Sequence, residues 1–426
     1  MKFFDTVKEL KAFIILWLTQ SFSALGSAMT SFALVIRLYR DSGSALTTAL
    51  LTVCSYAPYV VMSIFAGAIS DKWNKKTVML VCDSFAAMCT VAVLVLLKTD
   101  TLEVWHLYML NALNGLMNTI QSPASDVAAT LLTPEKHYQK TSGMRSFSNS
   151  LVSILTPVFA TAVMAFAGIE AVIAFDLATF AAAFLVLLLF IKIPEVKKEK
   201  EQPETLVQAA KSGLLYLKKN RGILWLILFL AAINLIASMY NAALPAMILS
   251  KKDEAALGFV SSSVGIATLA GSVIATFFPK PKSRVKLVCA CLMISMSTNN
   301  FLLAFGNSTV IWCFGAVLGW LFIPLMSANY EVLLRTNVPK EMLGRVYSAR
   351  NTLQFFTIPI GYFLSGVLVD EVFEPLMEKV PQGSLLTVVF GEGKGSGAAF
   401  LYFVIGIAGV AVCLFFQRIK ALRELD

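Results

Sequence analysis

Apolar residues in this chain fall in long unbroken blocks rather than in alternation, and twelve blocks reach the roughly 20 residues that a helix needs to cross about 30 Å of hydrocarbon. They lie near 12–36, 46–69, 77–97, 104–125, 143–167, 171–191, 222–249, 255–278, 285–305, 309–333, 346–369 and 396–417. Within lipid every backbone N–H and C=O must be satisfied inside the segment, so each block is expected to form a helix. The pattern therefore predicts an all-α integral membrane fold of twelve transmembrane helices in two pseudo-symmetric six-helix bundles, residues 1–194 and 222–426. Residues 195–221 form a polar cytoplasmic linker, in which Glu204 to Arg221 places Leu206, Ala210, Leu214 and Leu217 on one side. Such an amphipathic face can rest on the inner membrane surface, or the stretch can serve as a solvated tether.

The two-bundle reading comes from a duplication. Asp126, Pro134 and Arg145 recur as Glu331, Pro339 and Arg350, each 205 positions further on. Self-similarity at a fixed offset marks one structural unit used twice. Membrane proteins built from two related halves rock those halves about a central site, so the pattern points to transport.

Composition agrees, since 57% hydrophobic residues exceed what a soluble core of this length requires. Loops that stay in the cytoplasm keep Lys and Arg; with both termini inside, 28 of the 35 basic residues lie on the cytoplasmic side and 7 outside. This predicts a multi-pass protein of the cell (plasma) membrane with both termini cytoplasmic. It also assigns the net charge of +9 to orientation rather than to nucleic acid, whose binders gather basic residues on one soluble face.

Several chemistries are unsupported. The seven cysteines all fall in apolar blocks and include no Cys-x-x-Cys pair, and His106 and His137 stand at opposite ends of the fourth span, so neither a metal cluster nor a cofactor is expected. A Gly-rich phosphate loop ending in Gly-Lys-Ser/Thr is missing, which argues against direct ATP-driven pumping. Met1 to Lys11 lacks a cleavable signal pattern. Without a nucleophile–base set or a metal cluster, an enzyme is not expected.

Between the second and third spans stands Gly67-Ala68-Ile69-Ser70-Asp71-Lys72-Trp73-Asn74-Lys75-Lys76. Here the chain resembles the major facilitator superfamily, whose loop signature is Gly, three residues, Asp, a basic residue, one residue, Gly, then basic residues. Asn74 replaces the second Gly, and Asn tolerates a left-handed turn better than most residues, so that turn is expected to persist. The second-half counterpart keeps Gly271 and the basic cluster Lys280, Lys282, Arg284 and Lys286. Within the superfamily, the segment Pro339 to Ser348, Ile358-Pro359-Ile360-Gly361, Ser365-Gly366, Gln20, Ser23, Gly26, Phe175-Asp176 and Phe180 resemble the macrolide-efflux-type drug exporters.

The resemblance implies a monomeric secondary transporter, a proton-coupled exporter of amphipathic drug-like molecules working by alternating access, with substrate, proton and lipid bilayer as partners. Thr156-Pro157-Val158-Phe159-Ala160 keeps the proline of the superfamily's antiporter signature without its glycines, so the export reading rests on the subgroup. An importer or facilitator of a small metabolite, a lipid or lysolipid flippase and a flux-less sensor are the alternatives.

The resemblance also implies a cytoplasmic gate of Gly67, Asp71, Lys72, Lys75, Lys76, Asp126, Arg145, Glu331 and Arg350, in which Asp126 pairs with Arg145 and Glu331 with Arg350; the alternative is positive-inside charge with neutralising acids. Asp176 and Asp83 are the candidate proton-coupling groups, because a carboxylate at mid-span costs about 2.5–3.5 kcal/mol on insertion scales and tends to be kept for function. Asp83 could instead anchor the loop at Lys75 and Lys76. Asn111, Asn114, Asn118 and Gln121 follow 3-4-3 spacing and share one helix face, as do Asn234, Ser238 and Asn241. These amides either bond across helices as packing glue or line a substrate cavity, to which Gln20, Tyr240, Met239, Trp320 and Phe322 could add surface. The acidic outer loop Asp370 to Gly397 suggests no mechanism by itself.

Overall fold

The computed structural model of the chain describes residues 8–194 and 215–426, apart from the side chains of 61, 63–72, 139, 340, 341, 343–345 and 348. All regular structure among them is helical. In chain order come α1 (Lys11–Ser42), α2 (Ala45–Lys72), α3 (Lys75–Lys98), α4 (Val104–Leu131), α5 (Tyr138–Phe190), α6 (Arg221–Lys251), α7 (Glu254–Phe277), α8 (Arg284–Phe305), α9 (Thr309–Leu321), α10 (Ile323–Asn337), α11 (Lys340–Phe355) and α12 (Thr357–Val367). A π turn at Leu368–Phe373, α13 (Glu374–Glu378), α14 (Leu385–Phe390), α15 (Ser396–Arg418) and α16 (Lys420–Arg423) complete the chain.

Nine helical stretches among the described residues are long and apolar enough to cross a membrane, and the element order is consistent with twelve crossings. The blocks at 143–167 and 171–191 share α5, parted at Gly168, whose φ of 80° no residue with a side chain adopts without strain. The block at 309–333 is split into α9 and α10 at Phe322, one residue before the Ile323-Pro324 start of the new helix. Of the stretch from Glu204 to Arg221, residues 204–214 lie outside the described set; beyond it Leu217 is buried.

The chain divides into two compact units, Met1–Val35 with Cys54–Pro203, and Ile36–Val53 with Glu204–Asp426. The first has a core of Leu16, Val78, Met79, Cys82, Ala124, Ala128, Leu187 and Ile191, drawn from α1, α3, α4 and α5. In it α2 and α4 approach so closely that a Cβ on Gly115 would overlap the Ser55 carbonyl oxygen. The second unit repeats that crossing between α7 and α9, where a Cβ on Gly271 would overlap the carbonyl oxygen of Leu321. These are the second and fourth helices of each half, with the glycine moved to the opposite partner. Elsewhere in the second unit Phe229 of α6 stacks on Phe416 of α15 at 4.9 Å, and the fully buried Trp312 donates its Nε1–H to the Gly306 carbonyl at 2.8 Å.

Ile36–Val53 belongs to the second unit because its polar groups are satisfied there. Tyr39 Oη meets Ser250 Oγ at 2.6 Å, and Arg40 pairs with Glu254. At the start of α2 the Asp370 carboxylate accepts from Ser44 Oγ (2.6 Å), Ala45 N–H (3.0 Å) and Leu46 N–H (2.8 Å). Glu374 does the same for α15, accepting from Gly395 N–H at 2.9 Å and Ala398 N–H at 3.3 Å. Helix N-termini expose unpaired N–H groups and a positive dipole end, which a carboxylate neutralises. The acidic stretch that suggested no mechanism in the sequence thus supplies remote caps, and it contains helices α13 and α14 rather than loop throughout.

Candidate functional site

The 3-4-3 spacing on α4 has a direct consequence: Asn111, Asn114, Asn118 and Gln121 all face a cavity of about 590 Å³ within the first unit. Gln20 of α1, Asp83 of α3 and Asp176 of α5 line it too. Gln121 Nε2 donates to Asp83 Oδ1 at 2.5 Å, and Ser27 Oγ donates to Asp176 Oδ1 at 2.9 Å. Asp176 is 4% exposed, at a crossing where a Cβ on Gly26 would come within 2.8 Å of the Asp176 Cα. Arg145 is the one basic side chain lining the cavity among the described residues, and it is engaged by Asp126. Asp83 and Asp176 therefore face the cavity with hydroxyl and amide partners but no cationic one among the described residues. That arrangement can hold a proton or accept a positively charged group.

Asp83 does not hold Lys76. The Lys76 ammonium instead donates to the carbonyls of Leu188 and Ile191, 2.8 Å each, closing the C-terminal end of α5, where unpaired C=O groups and the negative dipole end favour a cation. Asn74 has φ −59°, so the left-handed turn expected in place of the signature glycine is not formed. Its side-chain oxygen caps α3, accepting from Lys76 N–H at 3.0 Å and Thr77 N–H at 3.3 Å, which is the position that favours Asn for its side chain rather than for its backbone. Lys75 is the first residue of α3. Gly67, Asp71 and Lys72 lie in α2, outside the residues whose side chains are described.

In the second unit Arg350 Nη1 donates to Glu331 Oε1 at 2.5 Å, and the Tyr347 hydroxyl donates to Glu331 Oε2 at 2.6 Å. Arg350 also reaches Asn351 Oδ1 at 3.0 Å and lies over the Tyr347 ring at 4.4 Å. Asp126 with Arg145 and Glu331 with Arg350 are thus the same pair twice, each confined to its own unit. Their surroundings differ: the Arg350 side chain is 17% exposed and Arg145 43%.

Glu331 and Arg350 help line a second cavity, of about 320 Å³, with Asn234, Tyr240 and Trp320. Ser238 and Asn241 share the helix face of Asn234 but not the cavity. Ser238 Oγ donates to the Asn234 carbonyl at 2.7 Å and its Cβ backs onto Gly361, while Asn241 is exposed and donates to the Ala237 carbonyl. Met239 is buried with its carbonyl taken by Ser365 Oγ, and Phe322 marks the α9–α10 break. The lining residues that went unremarked in the sequence include Asn299 and Asn300 on α8 and Tyr330 and Gln354 further on. Adjacent amides inside an apolar block were the available signal.

The Major Facilitator Superfamily model matches residues 16–362. The chain is 22% identical over 366 residues to Macrolide efflux protein A of Streptococcus pyogenes, covering 84% of this chain and 90% of that one. It is likewise 22% identical over 362 residues to the Multidrug efflux pump Tap of Mycolicibacterium fortuitum, covering 81% and 86%. The fold is that of the nucleoside transporter NupG, with a TM-score of 0.71 at 15% identity over 96% of this chain and 99% of that one. With its all-helical multi-pass architecture and a model match over most of its length, the chain belongs to the Major Facilitator Superfamily.

Proposed function

We propose that this protein is a proton-coupled exporter of amphipathic drug-like molecules, a monomer in the cell membrane with both termini cytoplasmic, working by alternating access between bundles 1–194 and 222–426. The observation that carries the reading is the first-unit cavity, where an amide stripe and two carboxylates without a cationic partner among the described residues meet the same space. Asp176, 4% exposed, is the coupling group; Asp83, held by Gln121, is the second acid. A mid-membrane carboxylate that alternates between protonated and substrate-paired states links proton entry to substrate release. Asp126–Arg145 and Glu331–Arg350 act as latch pairs that bias one conformation, since an ion pair can select a state without adding much net stability. Similarity to efflux proteins supports the outward direction.

The test is a drug-susceptibility panel that includes macrolides, in a pump-deficient host, with and without a protonophore, repeated for Asp176→Asn. Protection by the wild type that disappears under both perturbations is the expected result. Protection that survives both removes proton coupling, and uptake in place of extrusion by everted vesicles reverses the direction.

A further inference from the structure

The second-unit cavity holds polar atoms with nothing to bond to. Tyr240 Oη, Asn299 Oδ1, Asn300 Oδ1 and Trp320 Nε1 are all shielded from the surface and lack a hydrogen-bond partner. All four residues line the cavity of about 320 Å³. Tyr240, Asn299 and Asn300 are 3%, 5% and 1% exposed, so these groups have lost water without gaining protein. Tyr240, Asn299 and Trp320 stand close to one another without completing a bond among themselves. Buried polar groups are bonded in the great majority of cases, and each exception calls for an occupant or a reason.

The cradle is held rigid from behind. A Cβ on Gly319 would come within 2.5 Å of the Asn299 Cβ, so α9 presses Asn299 into place. Asn300 spends its Nδ2 on the Met296 carbonyl at 2.7 Å, which leaves only its oxygen for the cavity. Tyr402 donates to the Tyr240 carbonyl at 2.8 Å and packs edge-on against its ring at 5.5 Å. The free set is one indole N–H donor, two amide oxygens that accept, and a phenol that does either. None of the four carries a charge, and Glu331 on the same wall is already engaged by Arg350 and lies 4.0 Å from Arg335.

We propose that Tyr240, Asn299, Asn300 and Trp320 form a binding site for an uncharged group that both donates and accepts hydrogen bonds, a hydroxyl or a primary amide. A cation would find no counter-charge among these four and an anion only two donors. The site deepens the transport reading, which it needs for its biological role, by giving the second unit a neutral recognition chemistry beside the acidic first-unit cavity. Its test involves no transport.

The probe is acrylamide, a neutral primary amide that quenches indole fluorescence, applied to the full-length protein in lipid nanodiscs. Iodide at matched ionic strength is the charged control. The Trp320 signal is the difference between wild type and Trp320→Phe. It should be quenched along a saturating curve by acrylamide and not by iodide. Tyr240→Phe, which removes one oxygen and keeps the ring, and Asn299→Leu should each raise the half-saturating concentration about five- to tenfold, the worth of one net hydrogen bond. Strictly linear quenching would mean that the cradle takes up no amide, and would overturn the proposal. So would equal saturable quenching by iodide, or a half-saturation unmoved by Tyr240→Phe. The susceptibility panel reads neither quantity, so the site and the export reading can fail separately.

Discussion

The duplicated acid–arginine pair should be energetically unequal, and a double-mutant cycle in each half measures it. Glu331 and Arg350 side chains are 35% and 17% exposed, and Glu331 accepts at 2.5 Å from Arg350 and 2.6 Å from Tyr347. Hydrogen bonds to charged groups contribute about 1.5–3 kcal/mol net. Because Glu331 is about one-third exposed, the lower part of that range applies, and the coupling between Glu331→Gln and Arg350→Met should be about 2 kcal/mol, or roughly 30-fold in the folding equilibrium. Asp126 and Arg145 are 57% and 43% exposed, which places their pair among surface salt bridges at about 0–1 kcal/mol, no more than about fivefold. The assay is reversible unfolding of the purified protein in mixed micelles by titration with a denaturing detergent, with Asp126→Asn and Arg145→Met as the second cycle. Coupling in the second half should also survive 0.5 M salt better, since partly buried pairs are screened less. Equal couplings, or a larger one for Asp126–Arg145, would mean that motif identity rather than burial sets the strength of each pair.

Four other outcomes follow from the geometry. Gly115→Ala and Gly271→Ala each drive a methyl into a backbone carbonyl that cannot turn away, and should cost about 1–3 kcal/mol in the same assay; Gly143→Ala in α5, where a Cβ meets nothing within 4 Å, should be neutral or stabilising by about 0.5–1 kcal/mol. Asp370→Ala removes the acceptor of the Ala45 and Leu46 N–H groups at the start of α2, leaving Ser44 Oγ to cap Thr47 N–H at 3.0 Å, and should destabilise by about 1 kcal/mol, with Asp370→Asn recovering part of it because one acceptor oxygen remains. Asp176→Asn preserves side-chain volume and should leave unfolding little changed while abolishing protonophore-sensitive protection in the susceptibility panel. Glu9, ahead of α1, is held below its ordinary carboxyl value first by the hydrogen bond from Lys136 and then by that from His137. A lowered folded value means the tie is in place above pH 4.5 and is lost as pH falls through the folded value, so a fluorophore at Lys8→Cys should keep constant anisotropy from pH 8 to 5 and lose it only below 4.5.

Which segments are helices was legible in the sequence, because in lipid a long apolar block has one way to satisfy its own backbone, and that constraint acts before any packing. So was the shared face of Asn111, Asn114, Asn118 and Gln121, since 3-4-3 spacing is a property of the helix alone. What each polar group meets came from the packing of distant helices. Lys76 went to the end of α5 rather than to an acid, Asn74 served α3 by its side chain, and Asp370 and Glu374 capped helices that begin 325 residues before and 22 residues after them in the chain. The same spacing that put four α4 residues on a cavity wall put Asn234 on one and left Asn241 exposed, while Asn299 and Asn300 joined from another helix. A face is a local property of one helix, but a partner or an empty space is set by how several distant helices cross, and close crossings such as those at Gly115 and Gly271 are specified jointly by both chains of contact rather than by either segment alone.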